Sequence, residues 1–350
     1  MYRFLIYLVK EFDFRFKMTG KILCMKVAFN THRDKLEEYA KEHGFEVVTA
    51  DTSSREAYMK EFANNDVEII VNTWYDAREM GGYTDDMIRL IAKSGVKAIV
   101  HQGAGYDVVG NILVWKEMGV QVANSPNSPA SDTADAAMIL AMNAMRNIHS
   151  YDASLRAGQW RGKDVFGLSL HGSTVGILGM GNIGKFVRDR CAGFPFEKVQ
   201  YHQRTKLSTE EEKGAIYVKD LDTFLSTTDI IIVIVPYSQA THHLLNRERL
   251  LNVVKQNCVI VNVARGPVID EQALVDALDS GRVFSCGLDV YENEPEVHPG
   301  LIANERTCLI PHIGGHTKYN WDSLELELLS NIKSFVETGH VISLVKELRD

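Results

Sequence analysis

The 350-residue chain predicts an α/β protein of two doubly wound parallel-sheet domains, on three observations. Short apolar runs alternate with helical patterns along most of its length, as strands and crossover helices do in parallel sheets. The length is generous for one domain and comfortable for two. Near the middle, Ser173-Thr174-Val175-Gly176-Ile177-Leu178-Gly179-Met180-Gly181-Asn182-Ile183-Gly184 ends an apolar run in glycines and leads into a helix-like segment, 185–191.

Taken in order, the first half predicts strands at 26–29, 46–49, 68–71, 98–101 and 120–123, with helices such as 35–43 and 85–93 between them. The fourth strand ends in His101-Gln102-Gly103-Ala104-Gly105-Tyr106-Asp107. Open α/β sheets bind ligands at that edge, and a Gly-Ala-Gly turn there exposes backbone N–H groups suited to a carboxylate; a plain tight turn is the alternative. Trp74, after the third strand, offers an aromatic wall at the same edge or serves as packing. Ser125-Pro126-Asn127-Ser128-Pro129 reads as a crossover between domains. A helix follows over 132–149, capped by Ser131 or Asp132. It is apolar almost all round and must be buried, in a subunit interface or a domain core.

The glycine stretch has the spacing of a dinucleotide site. Gly179 permits the tight turn, Gly181 lets backbone approach a pyrophosphate, and Gly184 lets helix pack on strand. Beyond it come strands at 198–202, 229–236, 258–264, 285–290 and 307–310, and helices at 222–226, 247–254 and 270–280. A last helix, 323–338, is expected to pack on the first domain. The unbroken Ile230-Ile231-Ile232-Val233-Ile234-Val235 suits a central strand covered on both faces. After the strand at 198–202, an NAD-specific site would carry an acid for the ribose 2′-hydroxyl. Here the segment reads Tyr201-His202-Gln203-Arg204-Thr205-Lys206. Arg204 can grip a 2′-phosphate with its fork of donors, so NADP is the preferred cofactor and NAD the alternative. Solvated loop charges are the other reading of Arg204 and Lys206.

Net charge is −8 with no block of like charges, which argues against nucleic acid and anionic membranes as partners. Cys24, Cys191, Cys258, Cys286 and Cys308 are widely spaced without a C-x-x-C pair. They point to a reducing, cytoplasmic compartment with no disulfide framework and no metal site. The apolar start at 1–9 is cut short by Lys10, Glu11, Asp13, Arg15 and Lys17, so it does not read as a signal peptide. Met1, Met18 and Met25 are equivalent candidates for the first residue, and the first twenty-odd residues are expected to be an extension.

Three segments fall at strand ends of the second half: Val263-Ala264-Arg265-Gly266, Gly287-Leu288-Asp289-Val290 with Glu294-Pro295, and Pro311-His312-Ile313-Gly314. An arginine, a carboxylate and a histidine over one sheet edge, beside a nicotinamide, suit carbonyl reduction. In order and spacing these motifs, with the glycine stretch, the 103–105 turn and Asp132-Thr133-Ala134-Asp135, resemble the D-isomer-specific 2-hydroxyacid dehydrogenases. Tyr201-His202-Gln203-Arg204 is most similar to the glyoxylate/hydroxypyruvate reductase branch.

The resemblance implies a Rossmann cofactor domain, 125–313, inserted in a flavodoxin-like substrate domain built from 1–124 and 314–350. It implies NAD(P)H-dependent reduction of a small 2-oxo acid to the D-2-hydroxy acid by a homodimer. Arg265 would bind the substrate carboxylate and keto oxygen, and His312 would act as general acid. Glu294 would bond His312 and favour its protonated form, and Ala104 and Gly105 would hold the carboxylate through N–H groups. Cofactor contacts are implied at Thr133, Gly179, Gly181, Asn182, Ile183, Gly184, Arg204, Thr205, Pro236, Thr241, Ala264, Asp289, His312 and Gly314, with Asp289 orienting the carboxamide. His242 and His243 are expected to be structural, and His316 is a second candidate acid. Gly110 stands where the family has an acid, so the following helix is expected to lack its cap; Asn182 replaces a common arginine. The competing function is a dinucleotide-sensing corepressor or scaffold with negligible turnover.

Overall fold

A computed structural model describes residues 20–161 and 166–349. The chain divides into two compact units, one of Met1–Ser125 with Leu324–Asp350 and one of Pro126–Ser323. The second junction falls later than the 313/314 expected from sequence. Thr317 bonds Asp132, and Asn320 bonds the Gly315 carbonyl, so the start of the last helix, Lys318–Thr338, is tied to the second unit.

The first unit is a parallel sheet of five strands in the order β2-β1-β3-β4-β5, that of flavodoxin-type sheets. Its strands are β1 Lys21–Cys24, β2 Glu46–Thr49, β3 Val67–Thr73, β4 Ala98–Gln102 and β5 Gln121–Ala123. The first strand therefore lies before 26–29, inside the stretch read as an extension. Ile22, Leu23 and Cys24 are buried between β2 and β3. The following loop is instead gathered onto carboxylates: Asn30, Thr31 and His32 donate their N–H groups to the buried Glu325. Met25 directly follows β1, whereas Met1 and Met18 lie outside the described residues. Leu328, Leu329, Ile332 and Phe335 of the last helix join the core on one sheet face. Asn111 caps the Ile112–Glu117 helix by accepting from the Leu113 N–H at 3.2 Å. The cap that Gly110 cannot provide is supplied one residue on, by Asn111.

The second unit holds seven parallel strands in the order β12-β11-β10-β9-β6-β7-β8. They are β6 Thr174–Leu178, β7 Lys198–His202, β8 Ile216–Tyr217, β9 Ile230–Val233, β10 Cys258–Asn262, β11 Val283–Leu288 and β12 Thr307–Leu309. Ile230, Ile231, Ile232 and Val233 are all buried at the sheet centre, each side chain contributing about 1.5–3 kcal/mol of burial. The long helix runs Ala130–Arg146 rather than over 132–149. Pro129 precedes it without a side-chain cap, and Asn147, at φ 51°, ends it in the left-handed conformation. Ser131 and Asp132 are thus not its caps. Ala134, Ala137, Met138, Leu140, Ala141, Ala144 and Met145 pack in the core of the unit, and the small Gly287 of β11 lets the sheet close against Leu140. The helix expected over 247–254 is a single wide turn, Arg249–Val253, closed by the Val254 N–H on the Arg249 carbonyl at 2.9 Å.

Candidate active site

In the second unit β6 and β9 are neighbours, and the chain winds away from them in opposite directions. That reversal opens a crevice at the carboxyl ends of the strands. Gly179 sits there at φ +107°, where a side chain would press on the Ile234 backbone at 2.9 Å. A side chain at Gly184 would run into the Gly179 carbonyl, while beyond Gly181 the space is open. The Asn182–Cys191 helix starts at that opening, so its unpaired N–H groups and positive end suit a pyrophosphate. Ile183 is half-buried and Asn182 donates to the Pro126 carbonyl at 3.3 Å. Gln203, which the sequence reading passed over, accepts from the Met180 N–H at 3.2 Å and donates to the Thr205 carbonyl at 2.7 Å. Arg204 is exposed beside it and pairs with no carboxylate among the described residues. Thr241 donates to the Pro236 carbonyl at 2.8 Å, closing the loop after β9. Thr133 is buried in the first turn of its helix. These groups fit a dinucleotide.

At the end of β10, the buried Asn262 accepts from the Ala264 N–H and donates to the Arg265 carbonyl, both at 3.0 Å. Arg265 is half-buried. A side chain at Gly266 would occupy the Tyr291 carbonyl, so only glycine lets the Arg265 turn meet the loop after β11. In that loop Glu294, itself buried, accepts from the Tyr291 N–H at 2.9 Å and faces His312 Nδ1 at 3.0 Å. A carboxylate only accepts, so Nδ1 carries the proton.

His312 has φ +52°, uncommon outside glycine. Asp289 holds it there. Its carbonyl accepts from the His312 N–H at 2.8 Å, and its carboxylate accepts from Ile313 N–H at 2.6 Å and Gly314 N–H at 3.0 Å. Burial pushes the Asp289 carboxyl above its usual range, against the pull of His312 and both N–H donors. Sequence reasoning gave Asp289 a cofactor contact; the structure adds the shaping of the His312 turn. His316 is exposed and lies edge-on to Trp321. His243 pairs with Glu292 at 3.0 Å and stacks on His242.

The first unit brings Ala104 and Gly105 to the end of β4. Trp74 opens the Trp74–Glu79 helix after β3, with the Arg78 guanidinium 5.1 Å from its ring centroid.

A glycine turn at a topological switch point, with an imidazole–carboxylate pair and an arginine at neighbouring strand ends, defines a nicotinamide-dinucleotide oxidoreductase. Comparison with known proteins agrees. The family model of the D-isomer specific 2-hydroxyacid dehydrogenase NAD binding domain matches residues 138–314. The 4-methyl-2-oxopentanoate reductase A of Aspergillus oryzae is 39% identical over 83% of this chain and 87% of its own. A crystal structure of a glyoxylate reductase from Paecilomyes thermophila superposes with a TM-score of 0.87 at 35% identity, over 94% of this chain and 99% of that one. An NADPH-dependent glyoxylate/hydroxypyruvate reductase from Sinorhizobium meliloti, in complex with NADP and malonate, gives a TM-score of 0.79 at 28% identity, over 94% and 98%. The chain belongs to the D-isomer-specific 2-hydroxyacid dehydrogenases. It is an oxidoreductase that reduces 2-oxo acids with a nicotinamide dinucleotide.

Proposed function

We propose that the protein is an NADPH-preferring reductase of small 2-oxo acids, glyoxylate and hydroxypyruvate in particular, and that it acts as a cytoplasmic homodimer. The observation that carries this reading is the 3.0 Å pair of Glu294 and His312 at the strand ends that also bear Arg265. When bound, the reduced nicotinamide supplies a hydride to the keto carbon. The keto oxygen gains negative charge as that happens, and the Arg265 guanidinium stabilises it while gripping the planar acid. His312 delivers the proton to the oxygen through Nε2, and Glu294 holds the ring and offsets its charge. Ala104 and Gly105 bind the carboxylate by backbone N–H groups, and Trp74 flanks the substrate side chain. Thr133, the glycine turn, Asn182, Ile183, Thr205, Pro236, Thr241, Ala264, Asp289 and Gly314 hold the cofactor.

The NADPH preference is supported by the exposed Arg204 and by the NADPH-dependent relative. A dimer is supported by apolar side chains left in solvent on the second unit, Trp160 at 82% and Phe166 at 91% exposure with Ile139, Ile148 and Leu155. Five free, buried thiols support a reducing compartment; burial pushes those of Cys24, Cys191 and Cys258 up to about 12. No helix among the described residues is long and apolar enough to cross a membrane, and no cluster of three metal-ligating side chains occurs there. A panel of 2-oxo acids, each run with NADH and NADPH, tests the reading. Glyoxylate and hydroxypyruvate should turn over fastest with NADPH; binding of NADPH without turnover of any acid would favour the scaffold.

A further inference from the structure

We propose that Tyr58, Tyr83, Asn72 and His101 form a buried, one-directional hydrogen-bond relay that positions the 103–105 turn for the substrate carboxylate. Four side chains that touch no substrate would then set substrate affinity as positioning residues. The proposal rests on the reading of Ala104 and Gly105 as the carboxylate site.

The turn itself supplies the first argument. All three of its carbonyls are held: Gly103 by the Ser125 N–H at 2.9 Å, Ala104 by Asn124 Nδ2 at 2.7 Å, and Gly105 by His101 Nε2 at 2.9 Å. Its Ala104 and Gly105 N–H groups meet no acceptor among the described residues. The carbonyls of Gly103 and Ala104 are fixed by the adjacent chain. That of Gly105 depends on a single imidazole, which also lies 3.6 Å from where a Gly103 side chain would begin.

Behind that imidazole every proton has a determined direction. A carbonyl accepts, so His101 Nε2 carries the hydrogen, and Nδ1 accepts from Asn72 Nδ2 at 2.8 Å. That amide orientation is fixed twice, since Nδ2 also reaches the Thr73 carbonyl at 3.3 Å and Oδ1 accepts from Tyr83 OH at 3.0 Å. Tyr83 OH, having donated, accepts from Tyr58 OH at 2.9 Å. All four side chains are buried, and burial pushes both phenols well above their ordinary range, so both stay donors. Buried polar chains of this kind reinforce one another and permit few alternatives.

The test uses the full-length protein saturated with NADPH and oxamate, a non-reducible analogue of a 2-oxo acid. In the wild type, oxamate should shift the backbone amide resonances of Ala104 and Gly105. Tyr83→Phe keeps the ring and removes the donor to Asn72. It should weaken oxamate and raise the KM of the 2-oxo acid by about three- to tenfold, leaving kcat and NADPH affinity unchanged. His101→Leu should do more, and His101→Gln, whose amide can still reach the Gly105 carbonyl, should recover most of the loss. Wild-type amides that move while both Tyr83→Phe and His101→Leu bind oxamate normally would overturn the relay and leave the turn's role standing. Amides that fail to move in the wild type would overturn the role of the turn and the relay with it. A loss shared equally by kcat and NADPH affinity would mark plain structural damage and also overturn the proposal.

Discussion

On the proposed reading, the two units present their functional groups in opposite ways. At the end of β4 the functional groups proposed are backbone N–H groups, and the side chains that hold their turn are Asn124, His101 and the amide and phenols behind it. At the ends of β10, β11 and β12 the functional groups proposed are the side chains of Arg265, Glu294 and His312. There the supporting parts are mostly backbone donors and acceptors, with Asn262 and Asp289 as clamps. Backbone donors suit a ligand group whose charge stays constant, such as a carboxylate. Side chains that change protonation suit the atom where charge develops. The contrast predicts that damage to the second unit appears in turnover, and damage to the first in substrate affinity.

The largest effect should therefore come from His312→Ala, which is expected to lower kcat by about 10²–10⁴-fold with NADPH binding retained. Steady-state rates and a fluorescence titration of NADPH check both halves. Arg265→Ala should lose about 10²–10³-fold in kcat/KM, spread over affinity and rate because its contact strengthens as the oxygen becomes negative. Wild-type kinetics for that variant on every 2-oxo acid tried would remove Arg265 from the account. Arg204→Ser should reduce kcat/KM with NADPH about ten- to a hundredfold relative to NADH, the range for a charge-assisted bond. An unchanged cofactor ratio would show that this exposed guanidinium touches no phosphate. The smallest effect is expected from Trp160→Ser, which should weaken self-association in sedimentation by only a few-fold, since flanking apolar side chains remain.

The same contrast explains what could be read from the sequence. The placement of Arg265 and His312 just past apolar strands is legible in the sequence, and Glu294 meets His312 Nδ1 at 3.0 Å as the resemblance implies. The central strand of the second sheet was legible from Ile230 to Val233, because four consecutive buried residues leave no other period. Backbone presentation was not. Nothing in the spacing of Tyr58, Asn72, Tyr83 and His101 signals that they meet, since β3 and β4 bring together residues distant in the chain. Asn262 and Tyr291 escape sequence reading for a related reason: Asn262 bonds main-chain groups and Tyr291 reaches Glu294 through its own N–H, contacts that leave no trace in composition. β1 lies earlier than the sequence suggests because two short apolar runs, 22–25 and 27–29, flank Lys26, and only pairing with β2 and β3 decides which of them forms the strand. The long helix reads as apolar almost all round, and its one strongly exposed large apolar side chain is Ile139, at 62% exposure. Most of its hydrophobicity belongs to the core of its own unit.

The account stands on Glu294 acting through His312, and a double-mutant cycle measures that directly. Single-turnover reduction of a 2-oxo acid at saturating NADPH would be compared for wild type, Glu294→Ala, His312→Ala and the double variant. If the pair works as a unit, the double variant will be no slower than His312→Ala alone. Losses that multiply would show that the carboxylate and the imidazole act separately, and would contradict the account.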